Sequence, residues 1–378
     1  PVDLFREDVP EEWVYTRSFA TRTGPDPLAV DEAAAVLAAA ERPIIYAGQG
    51  VHYAEAWDEL RALAETWQIP VTTSLEGKSA FPETHALSLG SGGRANPRPV
   101  KTYLAEADVI LGIGCSFALT GFGVPMPRGK TIIHATLDPM DLNKDVEVQH
   151  ALIGDAKLSL QALSDSMADR DRTQADNREG VLAARIAKIK EEWLAEWEAK
   201  RTNKEAPINP YRVLKELHDA VDIDKTIITH DAGSPRDQLS PFWEATTPLS
   251  YIGWGKTTQL GYGLGLAMGA KLAHPDKTCI NVWGAAAIGF AGMDFETAAR
   301  ERIPILSVLM NNFSMAIEIP IMQVAQEKYG STDISGHYAD MAKSFGGFGE
   351  RVTDPGDIPC LLYTSDAADE KRGVDLGG

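Results

Sequence analysis

Short apolar runs alternate with amphipathic stretches along most of this chain. RPIIYAG (42–48) is an apolar run closed by glycine, and WDELRALAETW (57–67) an amphipathic helix. IPVTTS (69–74) predicts a strand, VKTYLAEA (100–107) a helix, and DVILGIGCSF (108–117) and KTIIHATLD (130–138) two more strands. Strands apolar on both faces, separated by helices, predict a parallel sheet covered on both sides. The rhythm restarts at INPYRVLKELHDAV (208–221). KTIITHDAG (225–233), TCINVWG (278–284) and IPILSVLMNN (303–312) predict strands, with helices at 260–274 and 292–302. The fold class expected is α/β, with two doubly wound parallel-sheet domains, at 28–165 and 205–359, joined by a helical linker at 166–204. Within that linker DRTQADNREG (171–180) reads as polar connection. VLAARIAKIKEEWLAEWEAK (181–200) reads as a helix packing across domains, with Ile186, Ile189, Trp193 and Trp197 at helical spacing.

Ligands of doubly wound sheets sit beyond the carboxyl ends of the strands. Three loops of the second domain stand there: HDAGS, WGAAA and NNFS. In NVWGAAAIGF (281–290), a glycine closes a strand and small residues follow, which presents backbone N–H groups as a phosphate loop does. Such a loop usually brings a carboxylate for Mg²⁺, and here three alanines stand in its place.

Composition narrows the classes. The 378 residues are 44% hydrophobic and 24% charged, with no apolar run long enough for a bilayer. A formal net charge of −18 offers no basic stripe for nucleic acid. No nucleic-acid partner and no membrane are therefore expected, and the opening PVDLFREDVPEEW is too charged for a secretory signal. Cys115, Cys279 and Cys360 lack CxxC spacing, which fits a reducing cytoplasmic location. Residues 1–27 begin as if in mid-strand. CLLYTSDAADE and the closing GVDLGG match translated sequencing-library adapter, so 360–378 is read as artefact and set aside.

The order of these segments resembles the thiamine-diphosphate-dependent enzymes of the acetolactate synthase and 2-oxo acid decarboxylase family. PVDLFREDV resembles the last strand of that family's N-terminal pyrimidine domain. RPIIYAGQGV, GKSAFPETHALSLG, ADVILGIGCSF and IIHATLDPMDLNK follow its central domain. HDAGS, GYGLGLAMGAKLA, FETAARERIPI and the Asn pair follow its diphosphate domain. The family signature is Gly-Asp-Gly and then Asn-Asn, which together hold Mg²⁺ on the cofactor phosphates. Gly284-Ala285-Ala286 and Asn311-Asn312 occupy these places, with Ala285 and Asn312 27 positions apart.

The resemblance implies thiamine diphosphate as cofactor, touched by Gly233, Ser234, Gly284, Asn312 and the backbone N–H groups of Ala286 and Ala287. Leu260 takes the place of the apolar side chain under the bent cofactor, and Thr258 that of a backbone carbonyl facing its amino group. Mg²⁺ would retain the side-chain oxygen of Asn312 and the carbonyl of Ser314. Losing the carboxylate at Ala285 should cost about 2–4 kcal/mol, roughly 30- to 1000-fold in affinity. The catalytic glutamate of the family belongs to the pyrimidine domain, so no catalytic residue is assigned. Gly112-Ile113-Gly114 reads as strand-end packing, and no FAD is expected. A small 2-oxo acid or acyl donor, cleaved or joined to a second carbonyl, and a homodimer or homotetramer are implied. A non-catalytic homologue kept for assembly or regulation, or a single-base change at Ala285, stays open beside the enzyme reading.

Overall fold

The computed structural model describes residues 2–12, 14–19, 21–253, 255, 259–360 and 374–377. Two six-stranded sheets, parallel throughout, carry helices on both faces. The first contains β1 (Pro43–Ala47), β2 (Val71–Thr73), β3 (Ser88–Ser91), β4 (Val109–Ile113), β5 (Thr131–Thr136) and β6 (His150–Ile153), in the order β3-β2-β1-β4-β5-β6. The second contains β7 (Thr226–His230), β8 (Tyr251–Ile252), β9 (Thr278–Gly284), β10 (Leu306–Met310), β11 (Phe348–Gly349) and β12 (Val374–Gly377), in the order β11-β12-β10-β9-β7-β8.

The central strands are buried on both faces: every residue of β1, β4 and β7 is buried. That explains why their sequences run apolar without alternation. The helix Trp57–Trp67 buries Leu60, Leu63, Ala64 and Trp67 along one stripe and stops where Gln68 turns left-handed. In the first sheet the connections from β1 and β4 lead to opposite sides, and in the second those from β7 and β9 do. Each pair opens a crevice at its carboxyl end.

Two expectations change. The stretch 171–180 is not a bare connection, because Thr173–Arg178 is a helical turn with Ala175 buried. Arg178 donates to the carbonyls of Ala40 (2.8 Å), Trp67 (3.0 Å) and Gln68 (3.1 Å). Its guanidinium thus satisfies carbonyls that end other elements, a role invisible to apolar patterning. At the front, Leu4–Arg6 is a single 3-10 turn, not a strand. An extended segment is held by a neighbouring strand, and β3 and β6, which edge the first sheet, pair only inward.

The helix Val181–Arg201 reaches both halves. Leu182 and Ile186 join the core of the first sheet, while Trp193 stacks on Phe242 at 4.9 Å between ring centres. A polar seam lies nearby: the Glu83 N–H donates to the Ala245 carbonyl, and the Ala245 N–H to the Glu83 carboxylate, each at 2.9 Å. Of the stretch read as adapter, 361–373 and 378 lie outside the described residues. Val374–Gly377 pairs with β10 and β11, and an open strand edge accepts an extended backbone whatever its side chains. Cys115 and Cys279 are buried and Cys360 is exposed. Among the described residues no helix is long and apolar enough to cross a membrane.

Candidate functional site

Three strand ends build the site. β7 stops at His230, and Asp231-Ala232-Gly233 turns into the short helix Ser234–Leu239. Gly233 has φ 88° and ψ −152°, a conformation essentially confined to glycine. β9 stops at Gly284, and Ala285–Ala291 begins a helix at once. A Cβ on Gly284 would lie 3.7 Å from Pro235 Cγ, so the first two loops touch. β10 is followed by two successive side-chain turns. Asn311 Oδ1 accepts the Phe313 N–H at 3.1 Å, and Asn312 Oδ1 accepts the Ser314 N–H at 3.2 Å.

The loops converge on one cavity of about 580 Å³. Gly233, Ser234, Leu260, Gly284, Ala286, Ala287, Asn312 and Ser314 all line it, and Ala285 does too. Thr258 lies outside the described residues.

Several groups that the sequence reading passed over organise this place. The Asp231 carboxylate accepts N–H groups from Gly261 (2.9 Å), Gly263 (3.0 Å) and Ala232 (3.1 Å), tying the turn after Leu260 to the end of β7. Burial pushes the Asp231 carboxyl above its usual range, and the three N–H groups pull it back. His230 is fully enclosed, and burial pushes its imidazole down to about 4; the carbonyl of Asp231 opposes this, while the cations of Arg236 and Lys78 add to it. Arg236 lines the cavity with 1% of its surface exposed. Asp231 and Arg236 stand inside or beside HDAGS, yet only tertiary contacts reveal what they hold.

Two residues that line the cavity also carry buried polar atoms without partners. Nη1 and Nη2 of Arg236 and Oγ of Ser314 are buried with no hydrogen-bond partner. The first N–H groups of the helix Ala285–Ala291 lack intrahelical acceptors. Such donors fit an oxygen-rich anion. They do not fit Mg²⁺: Ala285 offers a methyl group, Asn312 offers only a neutral oxygen that already accepts the Ser314 N–H, and Glu318 is the one carboxylate among the described lining residues. Among the described residues no group of three or more His, Cys, Asp or Glu is placed to hold a metal.

A second cavity, of about 910 Å³, lies at the β1–β4 crevice, beside Gly50 and Gly114. A Cβ on Gly112 would fall 2.2 Å from the Phe117 ring, and one on Gly50 2.7 Å from Gly114 Cα. Close packing alone requires these glycines.

Residues 30–163 match the family model of the thiamine pyrophosphate enzyme central domain, and residues 231–368 that of the C-terminal thiamine pyrophosphate binding domain. The chain belongs to the thiamine pyrophosphate enzyme family. It is 30% identical to a probable acetolactate synthase large subunit of Methanocaldococcus jannaschii, over 99% of this chain and 64% of that protein. It is 29% identical to a probable acetolactate synthase large subunit of Methanococcus aeolicus, over 93% of this chain and 60% of that protein. A pyruvate oxidase of Lactiplantibacillus plantarum is 26% identical over 82% and 51%. This thiamine pyrophosphate enzyme chain thus spans less than two thirds of the curated relatives it matches.

Proposed function

We propose that the cavity binds the diphosphate of thiamine diphosphate, and that the chain forms the central and cofactor-binding parts of a decarboxylase or carboligase similar to acetolactate synthase. The observation that carries this reading is the convergence of Gly233, Gly284 and Asn312 on one cavity. Gly233, Ser234, Gly284 and the N–H groups of Ala286 and Ala287 face the phosphates, and Asn312 closes the third side. Leu260 supplies an apolar wall under the rings. The bound cofactor supplies an electron sink for cleaving the bond beside a 2-oxo group. The protein binds it, orients it and keeps water away.

The neutral oxygens of Asn312 and Ser314 are a poor set for a hard dication. Whole-protein properties are proposals on the same footing: a 2-oxo acid or acyl donor as substrate, a glutamate supplied by a pyrimidine domain, and a homodimer or homotetramer in the cytoplasm. Titration calorimetry with thiamine diphosphate tests the binding, and no heat at millimolar cofactor sinks it. Assay of pyruvate decarboxylation and acetolactate formation, with the upstream coding sequence joined, tests the reaction.

A second reading, a homologue retained for assembly or regulation, is favoured by Ala285 alone. It predicts cofactor binding without turnover on any 2-oxo acid, or no binding at all.

A further inference from the structure

We propose that Arg236 is the cation that neutralises the cofactor diphosphate in this chain, taking the place of a metal ion, so that thiamine diphosphate is bound without Mg²⁺. This inference rests on the cavity being the cofactor site.

The posture of the guanidinium is the first observation. Its Nε donates to Asp237 Oδ1 at 2.8 Å, and its carbon lies 4.5 Å from the centre of the Phe122 ring. One edge and one face are therefore fixed, while Nη1 and Nη2 are buried without a partner. A guanidinium cannot shed its proton when desolvated, and its unpaired donors carry the full desolvation penalty. Such an edge is built for an acceptor that comes from outside, and the fork of Nη1 and Nη2 matches two oxygens of a phosphate.

Position is the second. Arg236 lines the same cavity as Gly233, Gly284 and Asn312. Its neighbour Pro235 packs against Gly284, so the guanidinium springs from the point where the first two loops meet.

The charge inventory is the third. Among the described residues, the ionisable ones lining the cavity are Arg236, Glu318 and Arg351. A carboxylate holding a divalent metal contributes one net positive charge, and Arg236 brings one as well, offset in part by the Asp237 carboxylate on its Nε edge. A carboxylate at 285, which also lines the cavity, would repel the diphosphate unless a metal stood between them, whereas the methyl of Ala285 does not.

The test is titration of the chain with inorganic pyrophosphate, thiamine diphosphate and thiamine, in EDTA and in Mg²⁺. The expected result is equal affinity for both phosphate ligands with and without metal. Arg236→Gln should weaken both by about 10- to 100-fold in EDTA, and leave thiamine unchanged. Arg236→Lys, which keeps the charge but loses the fork, should recover about half of that loss on a logarithmic scale. Ala285→Asp should bind about 10-fold more weakly in EDTA and recover with Mg²⁺.

Wild-type affinity that collapses in EDTA overturns the inference. So does unchanged pyrophosphate affinity in Arg236→Gln, or a loss confined to pyruvate, which would assign the fork to a substrate carboxylate. If Arg236→Gln fails to fold, the wild-type metal dependence and the Ala285→Asp response decide. Pyrophosphate bound on Arg236 with no affinity for thiamine diphosphate sinks the cofactor reading. Metal-dependent binding of thiamine diphosphate sinks only the role of Arg236.

Discussion

Two cations are buried between the two sheets, and they are held in opposite ways. Lys78, with 1% of its surface exposed, is bound to the Glu83 carboxylate and lies 5.0 Å from the Tyr251 ring centre. Burial pushes its ammonium down, and Glu83 pulls it back. Arg236 is as buried, but its carboxylate partner reaches only Nε and the rest of its fork has no hydrogen-bond partner. Lys78 is paired within the protein and joins the domains, although Oε1 of Glu83 is left without a partner; on Arg236 it is the cation's own donors that are left over. A buried cation with its charge paired reads as architecture, and one with spare donors beside a cavity is a candidate for a ligand.

The largest effect that can break this contrast is expected at Glu83. Glu83→Ala leaves Lys78 uncompensated and removes the acceptor of the Ala245 N–H, and should destabilise by about 3–5 kcal/mol. Urea unfolding checks it, and a loss below about 1 kcal/mol would show the pair to be idle. Gly233→Ala comes next. At φ 88° and ψ −152° a Cβ is strained, so stability should fall near the upper end of about 1–3 kcal/mol. Because that turn carries Arg236, pyrophosphate affinity should fall with it.

The third prediction concerns pH. The folded pKa of His230, about 4, lies below the ordinary value of 6.5. Between these values the unfolded chain takes a proton that the folded chain refuses, so stability is lost as pH falls from 6.5 toward 4. From pH 7 to pH 5 the loss from this residue alone should be about 2 kcal/mol. His52 and His134, also lowered by burial, act in the same sense. Asp231, raised by burial, acts in the opposite sense at lower pH. His230→Gln should flatten the unfolding free energy against pH by roughly that amount, and an unchanged slope would contradict the assignment.

The smallest effect should be at Arg236 itself. Arg236→Met, without ligand, gives up the Asp237 pair and the Phe122 contact but relieves the unpartnered fork, so stability should change by at most about 1 kcal/mol either way. A loss comparable to that of Glu83→Ala would erase the contrast.

Much of the fold was legible as pattern, and the omissions share a cause, apart from β12 in the stretch set aside as artefact. The apolar runs at β1, β2, β4, β5, β7, β9 and β10 stood out because each lies inside its sheet. SLGS at β3, HALI at β6 and YI at β8 passed unseen, and all three are edge strands. An edge strand is short and half-paired and needs little apolar surface, so its sequence carries little signal. The loops of the site were legible from their place after apolar strands. Asp231 and Arg236 were not, since whether a charged side chain has a partner is decided by residues far away in sequence. The polar residues at 171–180 misled for the same reason: Arg178 finds its carbonyls on elements more than a hundred positions earlier.

The clamp made by Asp231 has a consequence for cofactor shape. One carboxylate grips the amides of Gly261 and Gly263 from the tip of β7, so the approach of Leu260 to the cavity is set by a strand and not by the slack of its own loop. Asp231→Asn would keep the volume but lose one acceptor oxygen. The curvature imposed on any bound ring system should then relax while its phosphate end stays moored, separating the bending of a guest from its capture.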